Sequence, residues 1–295
     1  MDTSSSLFTI RNLRCSYAHP YVEGESKVVL EIRDLSLPRG NKIFIVGESG
    51  IGKSTILEVI GMMNNTLVPD PEACFRFHDN EGKEWDLMEM WKKGDDRALS
   101  RFRLRHFNFI FQNTNLMQNF TAYENIAITR MLQGYTQEES FDKAAALLSD
   151  LGLGSLDRQR LSQELSGGQQ QRLAFARAIL PDFTVLFGDE PTGNLDPENA
   201  MKAMEILAAK LGELKGSSAI IVTHDMHLAI TFGDMVIKVR KEARSGKDIH
   251  GETSYYGLID QESVFVPSAD RTSWSNGQGQ SFPTEDFEQF LRKKN

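Results

Sequence analysis

The chain has 295 residues, 40% of them hydrophobic and 25% charged, with 33 Lys plus Arg against 41 Asp plus Glu and a net charge of −8. That composition fits an ordinary globular protein of one large or two small domains and excludes collagen, coiled coil and wholesale disorder. The acidic balance argues against a general electrostatic grip on nucleic acid. Cys15 and Cys74 form no CxxC pair and no disulfide framework, which points to inert thiols in a reducing compartment. Neither a leader pattern nor an apolar run of roughly 20 residues is visible, so the chain is expected neither to be secreted nor to cross a membrane.

In chain order, short apolar runs at 43–46, 107–111, 183–187, 219–222 and 235–239 predict strands. The first is followed by a glycine-rich loop and the helical run TILEVI. After the second come two helices with S/T-x-x-E starts, Thr121 with Glu124 and Thr136 with Glu139, the pattern in which side chains satisfy the first orphan amides. Gly134 and Gly152 stop them, and Phe141, Leu147, Leu148 and Leu151 put an apolar face on the second. Strands alternating with helices predict an α/β protein with a largely parallel sheet covered on both faces. After Lys241 the apolar pattern breaks into polar stretches, before Thr284 caps a short helix carrying Phe287, Phe290 and Leu291. We place a boundary near residue 240 and expect a loose extension beyond it, with a docking element as the alternative.

Three motifs carry chemistry. Gly47-Glu48-Ser49-Gly50-Ile51-Gly52-Lys53-Ser54 fits G-x-x-x-x-G-K-[ST], between a strand and the helix that runs on from Thr55. Its glycines let backbone amides turn toward phosphates, and the helix dipole adds to the same point. Lys53 would hold the β- and γ-phosphates and Ser54 would place its hydroxyl on Mg²⁺. The run 183–187 then delivers Gly188, Asp189 and Glu190 at a strand's carboxyl end, where open α/β sheets place their sites. Asp189 suits the Mg²⁺ shell and Glu190 an attacking water. Leu165-Ser166-Gly167-Gly168-Gln169 opens a helix that ends at Pro181, a second helix start suited to an anion.

GESGIGKST, LSGGQ and LFGDEPTGNLD together resemble the nucleotide-binding subunit of an ATP-binding cassette (ABC) transporter, over about residues 7–240. FNFIFQNTNLMQNFTAYENI and DEPTGNLD resemble the branch containing the macrolide-exporter and lipoprotein-releasing ATPases. The resemblance implies a P-loop NTPase fold with a RecA-like core, an antiparallel β subdomain and an α-helical signature subdomain at about 113–165, with 241–295 as a polar extension. It implies ATP and Mg²⁺ as ligands, and a head-to-tail homodimer in which each ATP lies between one phosphate loop and the partner's LSGGQ helix. A separate integral-membrane permease is the implied partner, with no nucleic acid, and the implied location is the cytoplasmic face of the inner membrane.

Carried over by residue, Ser166 and Gly168 would contact the γ-phosphate across the dimer, with Gly167 and Gln169 of the same turn also counted as ATP-binding. Gln112 resembles the glutamine that senses Mg²⁺ and the attacking water, His224 in VTHD the switch histidine, and Glu190 the general base. Asp196 is read both as the cap of a helix with Pro197 at its first position and as a contact across the dimer. Tyr17 or Tyr21 would stack on adenine; Tyr17 is preferred. An insertion near 76–100 departs from the family pattern. Its basic stretch, with Lys92, Lys93, Arg97, Arg101, Arg103 and Arg105, reads as a solvated helix face or as a contact with a membrane subunit or anionic headgroups. The branch suggests export of a lipid, lipoprotein, peptide or drug-like compound. Two other classes remain: a regulatory ATPase that signals through a membrane partner without moving cargo, and a soluble ABC protein acting on nucleic acid or ribosomes. Removing 241–295 is expected to leave basal hydrolysis largely unchanged.

Overall fold

A computed structural model describes residues 6–18, 26–247 and 253–293. Strands β1 (Ser6–Ala18), β2 (Ser26–Pro38) and β3 (Lys42–Val46) lead into α1 (Lys53–Ile60). Then come β4 (Cys74–His78), β5 (Glu84–Asp86), α2 (Leu87–Lys93), α3 (Asp96–His106), β6 (Phe107–Ile110), α4 (Ala122–Leu132), α5 (Gln137–Asp150) and α6 (Gly167–Ile179). The chain continues through β7 (Val185–Asp189), α7 (Pro197–Glu213), β8 (Ser218–Val222), α8 (Met226–Phe232) and β9 (Met235–Lys238). It ends with β10 (Arg240–Lys247), β11 (Thr253–Ile259), β12 (Val264–Pro267), β13 (Ser273–Asn276), β14 (Ser281–Pro283) and α9 (Thr284–Arg292). These elements form two compact units, residues 1–95 with 222–295, and residues 96–221.

In the first unit an antiparallel sheet runs β10-β11-β2-β1-β4-β5, with β11 alone parallel to its neighbour β2. Its core is a ladder of apolar pairs between β1 and β2: Phe8 opposite Leu37, Ile10 opposite Leu35, Leu13 opposite Ile32 and Cys15 opposite Leu30, all buried. Facing pairs of this kind are the unit of sheet stabilisation. Burial pushes the Cys15 thiol up to about 12, in keeping with an inert cysteine. A second sheet in this unit runs β14-β13-β12-β9-β3, with β3 and β9 parallel. Every β3 residue after Lys42 is buried, as a strand covered on both faces requires.

The expectation of a loose segment after residue 240 does not describe residues 253–293. They complete both sheets, and a small aromatic core closes around Trp274, which is fully buried. Trp274 stacks on Phe287 with ring centroids 5.0 Å apart, and Phe282 stacks on Phe290 at 4.1 Å. Phe287 and Leu291 are the buried positions of α9, as its spacing predicts, but Thr284 does not cap it. Thr284 is the first helical residue and its hydroxyl donates to the Arg271 carbonyl at 2.7 Å.

In the second unit β8, β7 and β6 lie side by side, with β6 and β7 parallel. Both predicted capping boxes form: Thr121 and Thr136 accept from the amides of Glu124 and Glu139, whose carboxylates accept in return. The buried stripe of α5 is Ser140, Ala144 and Leu148, with Leu151 just beyond. Phe141 and Leu147 flank it half-buried, one on each side of the stripe. The insertion forms the β4–β5 hairpin and α2 in the first unit and α3 in the second. Trp85 donates to Asp79 at 2.9 Å within that hairpin, so this ring is held locally.

Candidate active site

The glycine-rich loop joins the end of β3 to α1 inside the first unit. Gly52, the residue before α1, sits at φ 96°, and a Cβ there would lie 3.2 Å from the Val29 carbonyl; the left-handed backbone and the close approach both require glycine. No side chain caps α1, so no side chain competes for its first amides, and an uncapped helix start after a glycine-rich loop suits phosphate. Lys53 is buried, and its Nζ donates to the carbonyls of Gly47 at 2.9 Å and Glu48 at 2.7 Å. Ser54, one residue on, is exposed, and Thr55 is buried.

Gly47, Glu48, Ser49 and Ile51 share a cleft of about 570 Å³ with His224. His224 follows β8 and is exposed; Asp225 next to it caps α8 by accepting from the Leu228 amide at 3.1 Å. Tyr17 is not among the residues lining this cleft. Its hydroxyl stands over α1, 3.4 Å from the Thr55 hydroxyl and 3.5 Å from a Glu58 carboxylate oxygen, and accepts from Asn64 Nδ2 at 2.9 Å. The residue as a whole is 39% exposed. Tyr21 lies outside the described residues. Four cationic residues that motif reading passes over also line the cleft: Lys238, Lys241, Arg292 and Lys293.

In the second unit Asp189 is the last residue of β7, two residues later than the apolar run predicts, because Gly188 still pairs with Ile110. Asp189 and Glu190 are half-buried. Glu190 adopts φ 51°, a left-handed conformation that non-glycine residues avoid and that persists only where surroundings enforce it. The enforcement is visible. The Gly193 amide donates to the Glu190 carbonyl at 3.1 Å, and Gln171 of α6, itself buried, donates to the Pro191 carbonyl at 3.0 Å.

Ser166 caps α6: its hydroxyl accepts from the Gln169 amide at 3.4 Å, and Gln169 Oε1 accepts from the Ser166 amide at 2.9 Å. Gly167 and Gly168 open the helix with free space where a Cβ would be. Asp196 caps α7 with Pro197 at the first position, as read from sequence, and accepts from the Asn199 amide at 3.0 Å. The hydrogen bonds to Asn199 hold its carboxyl below the usual carboxylate range. Gln112 is exposed just past β6. The loop after it is fixed by Arg177 of α6, which donates to the carbonyls of Thr114 and Asn115, each at 2.7 Å. So α6 starts at the LSGGQ turn and along its length holds both the Gln112 loop and the Glu190 loop.

The chain matches the ABC transporter family model over residues 30–193. It is 39% identical over 223 residues to the lipoprotein-releasing system ATP-binding protein LolD 1 of Chlorobium luteolum, covering 75% of this chain and 89% of that protein. The chain belongs to the ABC transporter family. Its likeness extends to the macrolide export ATP-binding/permease protein MacB of Aggregatibacter actinomycetemcomitans, 37% identical over 219 residues, although those residues make up only 31% of MacB's length. Among solved structures the dimeric ABC transporter cassette MJ0796 superposes with a TM-score of 0.65 at 29% identity, covering 79% of this chain and 94% of that one. The same cassette is known as a post-hydrolysis dimer bound to ADP and Pi. The protein is therefore an ABC ATPase cassette with the α/β fold of the P-loop NTPases, and the branch read from its sequence is the one its relatives occupy.

Proposed function

We propose that this ABC cassette forms a head-to-tail homodimer around two ATP molecules and drives a separate membrane permease, in export or in lipid or lipoprotein handling, from the cytoplasmic face of the inner membrane. The observation that carries the reading is the phosphate loop, with its uncapped helix start and the Lys53 ammonium folded over the Gly47 and Glu48 carbonyls. The names of the relatives, a lipoprotein-releasing ATP-binding protein and a macrolide export ATP-binding/permease protein, support the permease and the cargo class. No helix among the described residues is long and apolar enough to cross a membrane.

In this reading Lys53 and the loop amides bind the β- and γ-phosphates, and Tyr17 stacks on adenine. Ser166, Gly167, Gly168 and Gln169 of one protomer, with Asp196, meet the nucleotide of the other. Glu190 takes the proton of the attacking water, and Gln112 and His224 orient that water. Ser54 with its hydroxyl, Asp189 with its carboxylate and Gln112 with its amide Oε1 offer the oxygen donors that Mg²⁺ prefers, and would hold it. When bound, the ion supplies charge neutralisation along the phosphates.

The test separates binding from turnover. Glu190→Gln is expected to keep Mg-ATP binding, hold a dimer in size-exclusion light scattering with ATP, and lose hydrolysis, whereas Lys53→Ala weakens binding itself. Purifying the Glu190→Gln chain from mild detergent with ATP is expected to recover a multi-spanning protein. If both variants failed by the same route the residue roles would be wrong, and recovery of soluble partners alone would overturn the permease.

A further inference from the structure

The cleft beside the phosphate loop has a wall that the roles above leave unused, built by the last part of the chain. Leu291, Arg292 and Lys293 at the end of α9 line it together with Gly47, Glu48 and Ser49, and so do Lys238 and Lys241. Three contacts tie this wall to the loop itself. Lys241 Nζ stands 3.4 Å from Glu48 Oε2. Gly257 of β11 lies directly behind Ile51: a Cβ there would come within 2.3 Å of the Ile51 carbonyl oxygen and 3.0 Å of Val239. Lys238 pairs in register with Val46, the last strand residue before the loop, and donates from Nζ to the carbonyls of Phe290 at 2.9 Å and Lys293 at 3.1 Å.

Each contact is chemically committed. Lys238 is 4% exposed, and a buried ammonium is tolerated only when its N–H groups are hydrogen-bonded; here carbonyls at the end of α9, where the helix dipole is negative, accept from it. The Phe290 ring lies 4.3 Å from the same ammonium. Burial pushes the Lys238 ammonium below its ordinary value while the Glu48 carboxylate opposes that shift. The end of α9 is not loose, since the aromatic core holds the helix and Arg271, in the turn before β13, donates to the Ile230 and Gly233 carbonyls at the end of α8 at 2.9 and 2.8 Å. The loop backbone therefore rests against Gly257, is paired through Glu48 to Lys241, and starts from a strand end fastened to α9.

We propose that the segment from β10 to α9 is a positioning element of the ATPase, in which Gly257 and Lys241 set where the phosphate loop stands and Lys238 ties that setting to the end of α9. The proposal deepens the reading of the phosphate loop as the ATP site and rests on it. None of the three residues touches the nucleotide in this account; each acts through the loop. A change in the tail is then read at the loop as a change in nucleotide affinity.

The test uses the full chain and titrates Mg-ATP calorimetrically alongside steady-state hydrolysis and thermal melting. Gly257→Ala, which presses a methyl on the Ile51 carbonyl, and Lys241→Met, which removes the partner of Glu48, are each expected to raise Kd and KM for Mg-ATP about tenfold. In both variants kcat is expected to stay within about twofold, the signature of lost uniform binding. Lys241→Arg restores affinity. Gly277→Ala, in the same segment with nothing within 4 Å of the added carbon, leaves affinity unchanged. A purely structural role would lower melting temperature without moving Kd, and folded Gly257→Ala and Lys241→Met proteins with wild-type Kd would overturn the proposal. Should Gly257→Ala not fold, Lys241→Met decides, because its side chain is 32% exposed. A wild-type chain that bound no Mg-ATP would overturn the ATP-site reading and this inference with it, an outcome the wild-type titration alone identifies.

Discussion

At Glu190 the backbone stands at φ 51°, a conformation that costs about 1–3 kcal/mol for a side chain of this kind unless its surroundings enforce it. The enforcing group with the best-defined chemistry is Gln171, whose amide donates to the Pro191 carbonyl from a side chain only 1% exposed. Gln171→Leu keeps the volume and removes the donor, leaving a buried carbonyl unpaired at a cost of about 1–3 kcal/mol. We expect urea melts to show that loss and steady-state kinetics to show a lower kcat with KM for ATP little changed, because Glu190 would be displaced while the phosphate loop would not. A folded variant with wild-type kcat would show that this carbonyl does not govern Glu190. The residue illustrates what motif reading reaches. Ser166 and Gln169 are legible because their cap needs only residues three apart, whereas Gln171 sits in a run of three glutamines and meets its partner 20 positions away.

Among the elements, those with local chemistry are the ones that sequence reading locates. The capping boxes of α4 and α5, the Asp196 cap and Pro197 of α7, and the buried runs of β3 and β8 all stand where local pattern puts them. The strands β1 and β2 escaped a period-two reading for a physical reason: the buried positions switch parity between Ile10 and Leu13, around Asn12 at φ 49°, and β2 switches opposite it between Ile32 and Leu35. Strands β12, β13 and β14 are only four, four and three residues long, too short for any window to detect periodicity. Their stability comes from Trp274. Truncating it with Trp274→Ala is expected to cost about 3–5 kcal/mol, read as lost amide-exchange protection across residues 264–292. Trp274→Phe should be far milder, since it keeps the stack on Phe287 and deletes an indole Nε1 that has no hydrogen-bond partner among the described residues. Equal losses in the two variants would mean that ring area is not what holds this layer.

For the whole molecule, the consequence of the tail reverses the expectation from composition. A polar extension could be removed without effect, but residues 253–293 supply the neighbours of two sheets. Gly257, Leu258 and Ile259 pair with Leu30, Glu31 and Ile32 of β2, and Val264 and Phe265 pair with Ile237 and Val236 of β9. Ending the chain at residue 240 would bare the edge of β2 along three residues and the edge of β9 along two, and unpaired edges template aggregation. It would also strip Leu30 and Ile32, both fully buried, of their β11 neighbours, and Lys238 of both carbonyls that accept from it. The polar appearance of the tail arises because its few apolar residues are large: Phe265, Trp274, Phe282, Phe287 and Phe290 do the covering, and aromatic area outweighs residue count in burial. The truncated chain is therefore expected to melt well below the full chain, to aggregate on size-exclusion chromatography, and to bind Mg-ATP more weakly in whatever fraction stays monodisperse. A truncated chain that remained monodisperse with the full chain's melting temperature and ATP affinity would show that β2 and β9 need no neighbour and that the cassette is complete at residue 240.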